Sequence, residues 1–524
     1  MLITEILSRN ARIYRSEVAL IEREPAKNRR FEITWQEFDD QANQIAQILI
    51  QKGIKKGDRV VQLMTNCIEW LPIYFGILRT GALVVPLNFR FVANTIKKCV
   101  LTAGAKAMIF GDEFIERLDV VKADLDICVE TFIFIGSNDK RPGFAESCSD
   151  LMKRTPARNP EITLSILDDA ALYYTSGTTG TPKATLLTHR NLEFACYAEN
   201  RHHFQTHDDN FLCLPPLYHT GAKMHWFGNF IVGAKAVILK GIDPLWIMEA
   251  ISEEKVTVVW LLVPWALDIL FAIENGDLNL EDYSLDQWRL MHIGAQPVPP
   301  SLIKEWLKHF PDHQYDTNYG LTESSGPGCV HLGLDNIHKV GAIGVSGFDW
   351  EVRIVDEDLN PVPLGEPGEL AVKGPGVMKG YYGNPEATRE VLVEDWLLTG
   401  DIARQDEQGF FWLVDRKKDV IITGGENIYP VEIEDFLQTH PAIQDVAVIG
   451  LHSLRLGEVA AAVIKVKPGQ ALTKTDIDNF CQALPRYKRP RRIIFGDVPR
   501  NPTGKIEKPK LREIYAGGAE SPGI

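Results

Sequence analysis

Residues Tyr173 to His189 read YYTSGTTGTPKATLLTH. The stretch is dense in hydroxyls and glycines and passes through Pro182 and Lys183, a composition suited to gripping a polyphosphate. Gly177 and Gly180 let backbone N–H groups approach phosphate oxygens, Thr175, Ser176, Thr178 and Thr179 add hydroxyl donors, and Lys183 adds a positive charge. The spacing excludes a Walker A loop, which requires G-x-x-x-x-G-K-[ST], because Gly177 and Gly180 are too close together. The loop therefore points to ATP chemistry outside the Walker A class.

Working outward, the chain around this loop alternates helix and strand patterns. Thr34-Trp35-Gln36-Glu37 is a capping box, followed by Phe38, Ala42, Ile45, Ala46 and Leu49 at helical spacing and by Gly53 as a stop. Short apolar runs at 59–65, 107–110, 131–135, 236–239 and 256–262 read as buried strands with helices between them, which predicts largely parallel sheets covered by helices. The apolar stretches 70–87 and 256–273 are broken by charges and prolines, so they read as core elements and not as membrane spans. From Trp350 alternating strands are separated by Pro- and Gly-rich turns, a β-rich subdomain over about 335–415. Beyond Asp415-Arg416-Lys417-Lys418 come strands near 446–449 and 458–466 and a helix near 474–484, enough for a compact α+β domain. The last ten residues, rich in Gly, Ala and Ser, are expected to be disordered.

With 524 residues, two or more domains are expected, and the apolar and charged fractions are those of a globular protein. A formal charge of −14 argues against nucleic-acid binding. The basic cluster Pro485-Arg486-Tyr487-Lys488-Arg489-Pro490-Arg491-Arg492 reads as a solvated face, and any binding role there suits a phosphate-bearing cofactor better than nucleic acid. Eight cysteines lack C-x-x-C or zinc spacing and read as reduced thiols. The start, MLITEILSRNARIY, has charges in its first ten residues and no secretory apolar core, so a cytoplasmic location is expected.

Four further blocks carry chemistry: Tyr319-Gly320-Leu321-Thr322-Glu323, preceded by Asn318; Trp396-Leu397-Leu398-Thr399-Gly400-Asp401; Asp415-Arg416-Lys417-Lys418-Asp419; and Pro499-Arg500-Asn501-Pro502-Thr503-Gly504-Lys505-Ile506. With the loop at 173–189 they resemble, in order and separation, the motifs of the adenylate-forming superfamily of acyl-CoA synthetases, firefly-type luciferases and peptide-synthetase adenylation domains. The resemblance covers roughly residues 10 to 512. It implies an α/β fold with a large N-terminal domain, 1–417, of two mainly parallel sheets plus the β-rich, barrel-like subdomain. A small mobile α+β domain, 418–524, would follow.

For the site, the resemblance implies that ATP binds at Thr175, Ser176, Gly177, Thr178, Thr179, Gly180 and Lys183. Gly294-Ala295-Gln296-Pro297 and Asn318-Tyr319-Gly320-Leu321 would hold adenine, with Thr322 at the α-phosphate. Glu323 would bind Mg²⁺, with Thr178 as an additional ligand, consistent with the hard oxygen donors that ion prefers. Asp401 and Arg416 would hold the ribose, and Lys505 would bridge the acid and the α-phosphate. His219 would gate the acyl carbonyl, and His219, Thr220, Gly221, Trp226, Gly294 and Ser324 would line the acyl pocket. Lys418 would be the hinge, and Gly424, Gly425 and Glu426 would admit the arm of CoA. Two departures stand out: Ala184 replaces a common Gly, and Leu451-His452-Ser453-Leu454-Arg455-Leu456-Gly457 lacks the usual Pro-Asp.

The implied activity is that of an AMP-forming acyl-CoA synthetase using ATP, Mg²⁺ and CoA. Apolar acids (fatty, aromatic or alicyclic) are favoured because no charged residue is obvious in the presumed lining. An amino-acid adenylating enzyme that loads a carrier protein ranks second, since no Asp follows His219. A luciferase-like oxygenase and an ATP-binding pseudoenzyme complete the alternatives. The expected partners are small molecules, with no nucleic acid and no transmembrane segment; a long lipid substrate would allow peripheral membrane contact. A monomer or homodimer is expected.

Overall fold

The computed structural model describes residues 1–175, 182–294, 298–331, 333–424, 426–500 and 506–515. The chain divides into two units, one of Met1–Gly294, Val298–Val352 and Val372–Leu397, the other gathering Arg353–Ala371 with the chain from Leu398 onward.

The first unit contains two large sheets. In one, the strands run in the order Gln314–Asp316, Leu290–Gly294, Val258–Leu262, Asn210–Cys213, Lys235–Leu239, Val18–Glu24 and Arg29–Thr34. All neighbours are parallel except the last pair, a hairpin. In the other, the order is Gly380–Tyr381, Lys183–Thr188, Asp169–Thr175, Leu83–Pro86, Arg59–Leu63, Ala107–Gly111, Thr131–Ile135 and Glu146–Ser147. There the antiparallel pairs lie at the edge that carries the glycine-rich loop. The predicted strands thus appear with ends shifted by a few residues, and the parallel character follows from the helices between them.

Alternation along the strands decides which face meets which layer. Val259 and Leu261, with Met291 and Ile293 on the neighbouring strand, enter one apolar core with Trp306 and Leu302. Trp260 and His292 consequently point to the opposite face. Helix Trp35–Gln51 begins as its sequence predicts: the Glu37 N–H donates to Thr34 Oγ1 at 3.2 Å and the Thr34 N–H to Glu37 Oε2 at 2.7 Å. Trp70–Arg79 is a helix and Leu83–Pro86 a strand, both buried, and among the described residues no helix is long and apolar enough to cross a membrane.

Arg79 ends its helix inside the protein. Its guanidinium pairs with the Asp39 carboxylate and donates to Asn43 Oδ1 at 2.8 Å, Ser8 Oγ at 2.8 Å and the Asp39 carbonyl at 3.0 Å, tying three helices together.

The β-rich stretch differs from the barrel-like expectation in one respect. Its strands form an open five-stranded sheet and a separate open three-stranded sheet, and no described sheet closes on itself. The strands are short, several of two residues, which leaves too little edge for closure. In the second unit a hairpin sets Asp401 opposite Arg416. The chain then builds a sheet of Glu426–Ile428, Ile421–Thr423, Gly457–Val466 and Ile443–Ser453, with Arg492–Phe495 parallel to Gly457–Val466. Alternate residues of the long strands enter two cores, Val446 and Val448 on one face and Ala447 and Ile449 on the other, as the α+β reading requires. The disorder expected of the C-terminal residues falls, from 516 onward, outside the described residues.

Removing the Arg79 side chain strands a half-buried carboxylate. Arg79→Ala is expected to cost about 3–5 kcal/mol, read as a lower urea midpoint, whereas Lys153→Ala at an exposed pair should change it by less than about 1 kcal/mol.

Candidate functional site

Among the described residues, three segments far apart in sequence meet at Glu323. The residue sits on a short 3-10 turn, Thr322–Ser324, between strand Asn318–Gly320 and strand Pro327–Val330. Thr175, the last residue of its strand, donates its hydroxyl to Glu323 Oε1 at 3.5 Å, and the Tyr381 hydroxyl donates to the same oxygen at 2.9 Å. Burial, reinforced by the Glu323 charge, pushes the Tyr381 phenol well above its ordinary value, so it stays a donor. Lys183 lies opposite Thr175 in the hairpin, its ammonium 4.8 Å from the centroid of the Tyr381 ring. A carboxylate with one oxygen held by two neutral hydroxyls offers the kind of hard oxygen donor that Mg²⁺ takes.

The turn itself is tightly made. Ser324 donates its hydroxyl to the carbonyls of Leu321 and Gly326 at 3.0 and 2.9 Å, which fixes that side chain within its own loop. A Cβ on Gly320 would stand 2.7 Å from the Gly326 carbonyl oxygen, so only glycine fits there. Thr322 Oγ1 lies 3.4 Å from Thr220 Oγ1, which brings the turn to the segment after His219. His219 is the residue before helix Thr220–Phe230 and packs its ring 4.4 Å from that of Tyr218. Tyr319 is buried on its strand.

Lys223, one turn into that helix, is fully buried. It donates to the Leu217 and His219 carbonyls at 2.6 and 3.2 Å and lies over the rings of Tyr173, Trp70 and Tyr74. Burial pushes its ammonium well below its ordinary value.

Gly221 and Gly294 face a polar group that the sequence did not reveal. A Cβ on Gly221 would touch Trp260 at 2.9 Å, and the Trp260 ring stacks on His225 at 4.2 Å and 15°. His225 donates from Nδ1 to the Gly221 carbonyl at 2.7 Å, because a carbonyl only accepts. Behind it, Asp316 accepts from His203 Nε2 at 2.7 Å and His292 Nδ1 at 2.9 Å. Burial alone would raise the Asp316 carboxyl, yet those two hydrogen bonds hold it well below its usual range. Burial lowers His203, but Asp316 outweighs it and the net shift is upward; His292 stays below its ordinary value because burial wins there. Glu199, one helical turn before His203, is raised by burial to about 7. His203, His292 and Asp316 offer three donor atoms within 4.8 Å, the one such grouping among the described residues.

Trp226, expected to line the acyl pocket, is buried among aromatic side chains. It is one residue past His225 and therefore about 100° around the helix, in an aromatic core with Phe230, Phe75 and Phe38 at centroid distances of 4.8, 6.0 and 6.3 Å. Ser176, Gly177, Thr178, Thr179, Gly180, Ala295, Gln296, Pro297, Gly425 and Lys505 lie outside the described residues.

In the second unit, Asp401 is buried and pairs with Arg416 at 2.6 Å. Its position is set by Thr399, whose hydroxyl accepts from the Asp401 N–H at 3.1 Å, and by Glu369, which accepts from the Gly400 N–H at 3.0 Å and pairs with Lys417 at 2.9 Å. Lys418 lies on the next turn with its side chain exposed, its ammonium lowered chiefly by partial desolvation. Gly424 has φ +60°, a conformation natural to glycine, and its N–H reaches the Leu456 carbonyl at 2.8 Å; Glu426 is exposed.

These motifs define an AMP-binding enzyme. Residues 7–382 match the family model described as AMP-binding enzyme, and residues 432–505 the one described as AMP-binding enzyme C-terminal domain, so the chain belongs to that family. It is 32% identical to the long-chain-fatty-acid–CoA ligase FadD13 of Mycobacterium tuberculosis over 92% of this chain and 93% of that one. Its fold is similar to that of ATP-bound MatB from Rhodopseudomonas palustris, with a TM-score of 0.88 at 27% identity and 99% coverage of both chains. It is similar also to the anthranilate CoA ligase AuaEII in complex with anthranoyl-AMP, with a TM-score of 0.86 at 25% identity over 98% of this chain and 97% of that one.

The Glu199 proton gives the buried network a pH signature. Folded Glu199 keeps its proton to about 7, against an ordinary value of 4.5, so the stabilisation it contributes is full below 4.5 and is lost as pH rises through 7. Unfolding free energy should therefore fall across that window, and Glu199→Gln should flatten the slope in urea titrations at successive pH values.

Proposed function

We propose that the protein is an AMP-forming acyl-CoA synthetase. The carboxylate of an organic acid attacks the α-phosphorus of ATP and pyrophosphate leaves; the thiol of CoA then attacks the acyl carbon and AMP leaves. The observation that supports this reading best is the meeting of Thr175 and Tyr381 at Glu323, with Lys183 against the Tyr381 ring, which brings the two residues flanking the polyphosphate loop to the neighbourhood of the Tyr-Gly-Leu-Thr-Glu turn. Phosphoryl chemistry of this kind depends on positioning and on cations set where negative charge develops.

Lys183 approaches the outer phosphates as a point charge and Thr322 the α-phosphate, while Glu323, with Thr178, would hold Mg²⁺, which would supply positive charge to the phosphates. Tyr319 and the segment from Gly294 to Pro297 accept adenine. Asp401, oriented by Arg416 and Thr399, accepts hydrogen bonds from the ribose hydroxyls. Lys505 bridges acid and α-phosphate. The Lys418 turn is the hinge for the second half-reaction, in which Gly424, Gly425 and Glu426 receive the pantetheine arm. The domain that moves is 418–524. Eight unpaired cysteines fit a reducing, cytoplasmic setting.

The test is ATP-dependent pyrophosphate release over a panel of short, long, aromatic and alicyclic acids, with and without CoA and with products weighed by mass spectrometry. An acyl-CoA product is expected. Acyl-AMP without thioester would shift the case to another acceptor, and silence across the panel would end the ligase reading. Lys505→Ala is expected to abolish pyrophosphate release, by about 10²-fold or more, while supplied acyl-AMP is still converted to thioester; equal loss of both steps would remove Lys505 from its role.

A further inference from the structure

We propose that Lys223 and Asn66 are positioning residues for adenylation, clamping the segment 215–219 and holding it against the strand that leads into the glycine-rich loop. The inference rests on the ligase reading above and adds to it two residues that act through others. Pro215 and Pro216 have no N–H, so this stretch is short of backbone donors and depends on side chains to fix it. Asn66 donates from Nδ2 to the Pro215 carbonyl at 3.0 Å and accepts from the Leu217 N–H on Oδ1 at 2.8 Å. Lys223 takes two further carbonyls, those of Leu217 at 2.6 Å and of His219 at 3.2 Å. Four hydrogen bonds from two side chains thus set the backbone up to and including the residue assigned to the acyl carbonyl.

The surroundings of Lys223 extend the clamp to the phosphate side. The ammonium is 1% exposed, and among the described residues no carboxylate pairs with it. It lies instead 4.4 Å from the ring centroid of Tyr173, 5.1 Å from that of Trp70 and 5.4 Å from that of Tyr74, and the hydroxyls of Tyr74 and Tyr173 share a hydrogen bond of 2.9 Å. A buried ammonium without an anion costs free energy that a hydrocarbon of the same length would not, so what Lys223 contributes lies in its donors. Tyr173 stands two residues before Thr175 on one strand and therefore on the same face, and Thr175 donates to Glu323 Oε1. Thr220, next to His219, has its Oγ1 3.4 Å from Thr322 Oγ1. Lys223 accordingly sits where the segment before the acyl site meets the strand that carries the polyphosphate loop. Adenylation joins a carboxylate to the α-phosphorus, and an error of about an ångström in their relative placement is enough to cost about 10²-fold in rate.

The experiment compares the full-length wild type with Lys223→Met, which keeps the length and removes the donors, and with Asn66→Ala at a partly buried position. For the acid of the panel above that turns over fastest, kcat and the KM values for acid and ATP are obtained from pyrophosphate release. The urea midpoint and the hydrogen–deuterium exchange of peptides covering 211–220 and 169–175 are measured alongside. Lys223→Met is expected to lower kcat by about 10²-fold and Asn66→Ala by about tenfold, with the KM for ATP within about twofold of wild type and faster exchange confined to those two segments. A residue that only supports the fold would lower the urea midpoint and raise both KM values in step with the loss of kcat, and that result overturns the inference. So does a folded variant whose kcat stays within about twofold of wild type. Should Lys223→Met fail to fold, Asn66→Ala decides by the same measures. Should the wild type release no pyrophosphate with any acid, the ligase reading falls and exchange judges the clamp: loosening confined to the two segments upholds it, and unchanged exchange overturns it as well.

Discussion

A buried carboxylate, Asp316, sets the terms for much of the first unit. A charge taken out of water is tolerated only where partners replace its hydration, and two imidazoles do so here, His292 from the adjacent strand and His203 from the end of helix His189–His203. The parallel register places His292 directly opposite Asp316. Two residues further on, the strand Asn318–Gly320 begins, and the Asn318 amide donates back to Glu199 Oε1 at 3.3 Å. The carboxylate thereby fixes the starting point of the segment that ends at Thr322 and Glu323. The strand ends carrying His292 and Asp316 and the Thr322–Ser324 turn are thus close neighbours along the chain within that unit.

Glu323 illustrates a different solution. Its partners, Thr175 and Tyr381, are neutral hydroxyls; they orient the carboxylate without neutralising it, as a cation site needs. Asp401 in the second unit is paired with a guanidinium instead, and a neutral ribose asks of a carboxylate only its lone pairs. The contrast between a hydroxyl-held and an arginine-held carboxylate matches the two ligands these residues are proposed to meet.

How far the sequence could be read depended on whether information was local. The Thr34–Glu37 cap and the strand cores at 107–110 and 131–135 are written in consecutive residues, and so were legible. The open form of the β-rich sheets was not, because closure depends on strand lengths and shear that no short pattern encodes. Tyr381 escaped notice because it is one aromatic in a Gly-Tyr-Tyr run whose neighbours carry no chemistry; only pairing of Gly380–Tyr381 with strand Lys183–Thr188 brings it to Glu323. Trp226 was named as part of the segment after His219; helical geometry turns it towards Phe75 and Phe230, and His225 is the residue that shares a face with Gly221.

The buried polar group was hidden for the same reason. His203, His225, Trp260, His292 and Asp316 come from five elements, and each alone reads as an ordinary core residue. What unites them is strand parity: Val259, Leu261, Met291 and Ile293 are so plainly apolar that they define one face as core, which forces Trp260 and His292 onto the other. A run such as Met291-His292-Ile293 looks hydrophobic on average while its minority residue sets the polarity of the opposite face. Charge counts over a presumed lining miss this, because neutral imidazole, indole N–H and hydroxyl contribute no charge. They nonetheless constrain how their elements pack through directed hydrogen bonds, whose absence costs more than their presence gains.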